Sequence, residues 1–126
     1  MFRELNGDAD EQSRKYHTRL TFHKPIQCIE PLQYLALRAT FDGSLHAGRA
    51  GAGWTLWGSL CNVFDDNPDC WEPMISCSLE LPTPITVTET EAIAVHSLLH
   101  SVDALIRCGP EALEQAAHKW RLVFVS

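Results

Sequence analysis

The hydrophobic period of this chain changes at Pro82 and Pro84, and that change limits what it can fold into. Before the two prolines, apolar residues recur at every second position. Leu35, Leu37, Ala39 and Phe41 alternate with Ala36, Arg38, Thr40 and Asp42, the period of a half-buried strand. Residues Ala52 to Gly58 and Met74 to Leu81 read as two further strands, and short connections between successive strands favour antiparallel pairing. After the prolines the period is helical. Val95, Leu98, Leu99, Val102, Leu105 and Ile106 form one stripe, with His96, His100, Asp103 and Arg107 on the opposite face. Gly109 ends this helix, and Pro110 opens a shorter helical piece. The closing run RLVFVS, residues Arg121 to Ser126, has the β-branched and aromatic character of a buried strand. The predicted class is therefore α/β with a mixed sheet: an antiparallel three-strand meander, a crossover helix, and a fourth strand parallel to the first.

The chain has 126 residues, 45% of them hydrophobic, which fits one domain with a sizeable core. Residues 1–33 are expected to be a partly disordered lead-in or linker. Residues 1 to about 15 are polar and unpatterned, and an edge strand is conceivable between Tyr16 and Ile29, with Pro25 and Pro31 as breaks. The patterned domain is expected over 34–126. The five cysteines include no C-x-x-C pair, so they read as reduced thiols and not as a disulfide framework or zinc knuckle. No apolar stretch has the length of a membrane span and the N-terminus has no signal-peptide pattern. The expected location is intracellular, cytoplasmic or nuclear. A net charge of −6 argues against a generally basic, non-specific nucleic-acid binder. Much of that acidity lies between Asp65 and Glu72, whereas Arg38, His46 and Arg49 cluster near Asp42.

Two carboxylates stand out by position. Asp42 closes the first alternating run, just before the glycines of GSLHAGRAGAG. Glu91 stands in Thr88-Glu89-Thr90-Glu91, which fits a capping box, yet it lies four residues before Val95 and seven before Leu98, on the apolar stripe. A carboxylate aimed at a sheet is costly unless a cation meets it, and a divalent metal is such a partner. Glu89 is the alternative ligand on the same turn. His96 and His100 have the i, i+4 spacing of a zinc helix, but Ser97 stands where the general base of that motif belongs, and a solvated face explains them. Trp54 and Trp57 read as packing groups.

These segments resemble the ribonuclease H type 1 domain, of the kind found in retroelements. TFDGSLHAGRAGAGWTLW is similar to that family's first strand ending in Asp-Gly-Ser, its glycine-bearing turn and its GAG-initiated second strand. TVTETEAIAVHSLL is similar to its first helix, with Glu91 at the acidic position and Ala94 at the small position, and RLVFVS to the strand that delivers the next aspartate. The resemblance implies hydrolysis of the RNA strand of RNA–DNA hybrids with two Mg²⁺ or Mn²⁺ ions. Asp42 and Glu91 would be catalytic metal ligands, and Gly43, Ser44, Gly51, Ala52 and Thr88 would lie against substrate. It further implies a domain that is incomplete at its C-terminus and weak or inactive alone. Association with a reverse transcriptase module is implied as well. Self-association through an uncovered sheet edge is expected, and so is the absence of a membrane partner. The alternative is a non-catalytic remnant of the fold that serves as a protein-interaction module.

Overall fold

A computed structural model describes residues 2–29, 33–34, 36–59 and 70–113. They form a mixed α/β structure in which a four-stranded antiparallel sheet lies between two helices. Helix α1 spans Phe2–Ser13, β1 Arg19–Phe22, β2 Ala36–His46, β3 Arg49–Ser59, β4 Trp71–Leu81 and α2 Val87–Cys108. The sheet order is β1-β4-β3-β2, so β2 is an edge strand among the described residues. Among those residues no helix is long and apolar enough to cross a membrane.

The three-strand meander follows the alternating pattern, but its strands are longer than the apolar runs. The β2–β3 pairing continues from Ala36↔Ser59 to His46↔Arg49, and only Ala47 and Gly48 remain as the turn. Both have positive φ, at 52° and 78°, as a two-residue hairpin turn of the twist-compatible type requires. The expected glycine-rich loop from Gly43 to Gly53 is therefore strand, turn and strand. Asp42 sits inside β2, four residues before its end.

Each face of the sheet has its own chemistry. Phe41 pairs with Trp54 and Gly43 with Ala52, and the same face carries Leu56, Ile75, Cys77, Leu79 and Leu81. Helix α2 covers it with Ala94, Leu98 and Leu105, all at most 4% exposed. Within this layer the buried Trp54 Nε1–H donates to Ser97 Oγ at 3.0 Å, which satisfies the indole. Burial pushes the Cys77 thiol far above its ordinary value, so it stays protonated and behaves as a small apolar group.

The other face is polar. Thr40 pairs with Thr55, Asp42 with Gly53 and Ser44 with Gly51, and β4 adds Ser76 and Ser78. Helix α1 lies over it, so residues expected to be an unpatterned, disordered lead-in form a helix, while the edge strand that the sequence allowed between Tyr16 and Ile29 is β1. β1 pairs with β4 from Arg19↔Ser78 to Phe22↔Ile75, and no break in the sheet corresponds to the expected boundary at residue 33. The signal was faint because the described part of α1 that packs is small and polar: among residues 7–13 the buried ones are Ala9, Gln12 and Ser13, and their seat is Gly51 and Gly53. A Cβ at Gly53 would lie 2.5 Å from Ser13 N and 2.6 Å from Gln12 Cβ. Hydrogen bonds replace hydrocarbon here. Thr55 Oγ1 donates to Asp8 Oδ2 at 2.5 Å and lies 2.9 Å from Ser76 Oγ, which meets His23 Nε2 at 2.7 Å.

Helix α2 begins two residues earlier than the motif at Thr88 implies. The N-cap is Thr86, whose hydroxyl accepts from Glu89 N while Glu89 reaches back to the Thr86 amide. Its buried line is Thr90, Ala94, Ser97, Leu98, Ser101 and Leu105, while Leu99 and Ile106 are 63% and 56% exposed. The expected stripe is thus rotated towards small residues, which let the helix approach the sheet closely. Glu91 moves off the buried line and is exposed. Gly109 ends the helix as expected. Residues 110–113 are helical, and the rest of the second helical piece and the expected parallel strand at 121–126 lie outside the described residues.

Two substitutions test this account by chemical denaturation. Gly53→Ala should destabilise the fold by about 1–3 kcal/mol, the usual cost of overpacking, by forcing α1 off the sheet. Ala47→Asn should stabilise it by about 0.5–1 kcal/mol, since Asn tolerates the left-handed conformation that Ala47 adopts at a cost.

Candidate functional site

Asp42 projects onto the α1 side of β2, opposite Gly53, and its Oδ1 accepts from the Gly43 amide at 2.9 Å. The next residue faces the other way and meets α2. A Cβ on Gly43 would lie 2.7 Å from Glu91 N and overlap Thr90 Oγ1, so the first turn of α2 rests directly on the β2 backbone. Gly43 therefore brings the backbone of Glu91 against the backbone beside Asp42. The two residues expected to act together lie on either side of one edge strand.

A third carboxylate comes from α1. The Asp10 carboxyl lies near enough to Asp42 to act on its ionisation, and it accepts from Arg14 Nε at 3.1 Å. Burial holds the Asp42 carboxyl above the ordinary aspartate range. The Gly43 amide opposes that rise, while the Asp10 carboxyl and the charge of Glu91 add to it. Asp10 was not singled out by the sequence, because it stands in a polar stretch. Its only trace there is the i, i+4 spacing to Arg14.

The other expected site residues divide by exposure. Thr88 is exposed in the first turn of α2. Gly43 and Ser44 are half-buried in β2, and Ser44 Oγ lies 2.8 Å from Tyr16 Oη. Gly51 is covered by Ser13 and Tyr16, and Ala52 is 0% exposed beneath α2. As placed, these two form the seats of the helices and present no surface to a ligand. Glu89 is held by the cap at Thr86, so the capping role expected of Glu91 belongs to Glu89. His96 and His100 stack on the exposed side of α2 with ring centroids 6.4 Å apart.

Beside Asp42 the outer edge of β2 opens into a cleft of about 430 Å³. Gly43, Ser44, Leu45 and His46 form its floor, Asp10, Arg14 and Tyr16 one wall, and Val87 the other. Among the described residues no group of three or more His, Cys, Asp or Glu side chains is closed around a point that could hold a metal. Carboxylate oxygens are the donors that a hard divalent cation takes; here Asp10 and Asp42 face each other from α1 and β2, and Glu91 acts on Asp42 from the α2 side.

Comparison with protein-family models, curated proteins and solved structures returns no match for this chain.

The raised position of Asp42 sets the sign of a pH effect. A carboxyl whose folded pKa exceeds its unfolded one favours folding while protonated, and that contribution is lost as pH rises through the folded value. In EDTA, Asp42→Asn should therefore raise the thermal midpoint at neutral pH, and the advantage should shrink at an acid pH at which wild-type Asp42 is protonated as well. Thermal unfolding of both proteins at the two pH values measures this.

Proposed function

We propose that this chain carries a metal-dependent phosphodiesterase site of the ribonuclease H type, acting on the RNA strand of RNA–DNA hybrids. The observation that carries this reading is the half-buried Asp42 carboxyl, its Oδ1 held by the Gly43 amide and the charges of Asp10 and Glu91 acting on it, beside an open cleft on the edge strand. The order of the elements supports it too: Asp-Gly-Ser strand, hairpin, third strand and a helix whose first turn bears Glu91. In the proposed arrangement residues 121–126 add a fifth strand parallel to β2. Leu37, Phe41 and Leu45 stand 37–43% exposed along that edge, on the side such a strand would help to cover.

Asp42 and Glu91 would hold the divalent ions, Mg²⁺ or Mn²⁺, with Asp10 as an additional ligand. When bound, these ions activate a water and stabilise the leaving oxygen. The chain's own groups do the rest. Gly43 fixes the distance between β2 and α2, and hence the relation of Asp42 to Glu91. The Gly43 amide orients the Asp42 carboxyl by donating to Oδ1. Ser44 in the cleft lining and the exposed Thr88 in the first turn of α2 are the polar side chains proposed to meet the substrate.

A second reading has its own support. The apolar row Leu37, Phe41 and Leu45 on an edge strand also suits a protein-interaction module of this fold, including self-association. A cleavage assay on an end-labelled RNA–DNA hybrid separates the two. The expected result is slow Mg²⁺-dependent nicking of the RNA strand, reduced at least about a hundredfold by Asp42→Asn, as for loss of a principal metal ligand. An intact RNA strand at every Mg²⁺ and Mn²⁺ concentration would overturn the nuclease reading in favour of the interaction module.

A further inference from the structure

Asp10 is the acidic residue of the cleft lining, and Arg14 beside it is ion-paired to it through Nε. Towards the hairpin turn the rim of the cleft carries His46 and the hydroxyls of Tyr16 and Ser44. Arg49, paired with His46 across the turn and behind Tyr16, stacks its guanidinium 4.9 Å from the centre of the Tyr16 ring and donates from Nη2 to Tyr16 O at 3.4 Å. In a chain of net charge −6, two arginines thus bracket the Tyr16–Ser44 hydroxyl pair, one of them shared with Asp10.

We infer that this rim is a phosphate subsite, and that it takes the phosphodiester adjacent to the one held at Asp42; the inference rests on the nucleic-acid reading of that site. Ser44 and Asp42 share a face of β2 two residues apart, a rise of about 7 Å along a strand, so a nucleotide chain that lies along the edge meets both in succession. Tyr16 Oη and Ser44 Oγ have two protons between them, and their 2.8 Å bond uses one. The remaining O–H is available to a phosphate oxygen. Arg14 and Arg49 flank this pair, and guanidinium groups match phosphate oxygens two at a time. The cleft volume lies within the range of about 300–1,000 Å³ typical of small-ligand sites.

Tyr16 itself points the same way. It adopts a left-handed backbone with φ 52°, a conformation that a non-glycine residue holds only at a cost. That geometry carries the chain out of α1 and turns the Tyr16 ring between Ser44 and Arg49. The strained residue thus assembles the hydroxyl pair and orients one of the two guanidinium groups.

The test measures binding alone, by fluorescence anisotropy of a labelled RNA–DNA hybrid in EDTA over a range of NaCl concentrations. Arg14→Gln combined with Arg49→Gln should weaken binding about tenfold and lower the slope of log K against log salt by about one to two, near the 0.9 lost per phosphate contact. Arg107→Gln, which removes an exposed cation on α2, should change neither quantity. Tyr16→Phe keeps the stacking ring and should weaken binding about threefold by removing the donated hydroxyl, a loss of the size expected for one hydrogen bond. It tests the site independently if the double variant fails to fold. The subsite would be overturned by a double variant indistinguishable from Arg107→Gln, or by a wild-type chain that does not bind the hybrid at low salt. A polyglutamate peptide that competes as well as unlabelled hybrid would also overturn it and assign the rim to an acidic protein segment. Because no hydrolysis is measured, a chain that binds through these residues yet never cleaves would refute the nuclease reaction and leave the subsite standing.

Discussion

Three glycines of the β2–β3 hairpin let backbone meet backbone. Gly43 receives the first turn of α2 on one face, and Gly51 and Gly53 receive the last turn of α1 on the other. A side chain at any of them would force the adjoining helix outward, and the polar contacts around Asp42 depend on that closeness. Asp10 reaches Asp42 only because α1 lies directly on the strand opposite Asp42. The Gly43 contact fixes the first turn of α2, which carries Glu91, in the same way. These glycines therefore set the thickness of both layers in the region where the carboxylates gather.

Around that hairpin the molecule is asymmetric in the forces that hold it. The α2 side is a conventional apolar core, with Trp54, Leu56 and Ile75 at most 2% exposed. Burying each such side chain contributes about 1.5–3 kcal/mol. The α1 side is held by small hydroxyl residues whose bonds must be satisfied where they are buried. At the far end of the sheet, Lys24, Tyr34 and Glu72 form a separate polar cluster: Tyr34 Oη donates to Glu72 at 2.5 Å and Lys24 Nζ donates to both partners. The Lys24 ammonium holds the Glu72 carboxyl below the ordinary glutamate range, and Tyr34 adds to this. The cluster ties the segment after β1 to β4.

The elements legible in the sequence were those whose own residues carry a periodic pattern. The meander and α2 are of this kind, because alternation at Ile75, Cys77 and Leu79 and helical spacing at Leu98 and Leu105 report burial directly. What was not legible depended on a partner. The described contacts of α1, at Gln12 and Ser13, carry no apolar signal, since they meet Gly51 and Gly53, forty residues away, and those glycines read equally well as a loop. The two overlapping Thr-x-x-Glu motifs at Thr86 and Thr88 are indistinguishable in isolation. Close approach to Gly43 settles the phase by burying Thr90, and that leaves Glu91 exposed. Asp42 was conspicuous by its place before glycines, whereas Asp10, Arg14 and Tyr16 became visible only once α1 lay across the hairpin.

The polar layer between α1 and the sheet has a consequence for how the molecule comes apart. Water can replace each bond that Asp8, Thr55, Ser76 and His23 make with one another, so lifting α1 exposes hydroxyls that hydrate readily. Lifting α2 would instead expose Trp54, Leu56 and Leu79. Local opening accordingly begins at the N-terminal layer, at a free-energy cost well below that of global unfolding. Each such excursion separates Asp10 from Asp42 and returns the latter to solvent. The proton affinity of the site is in this way tied to the breathing of one helix.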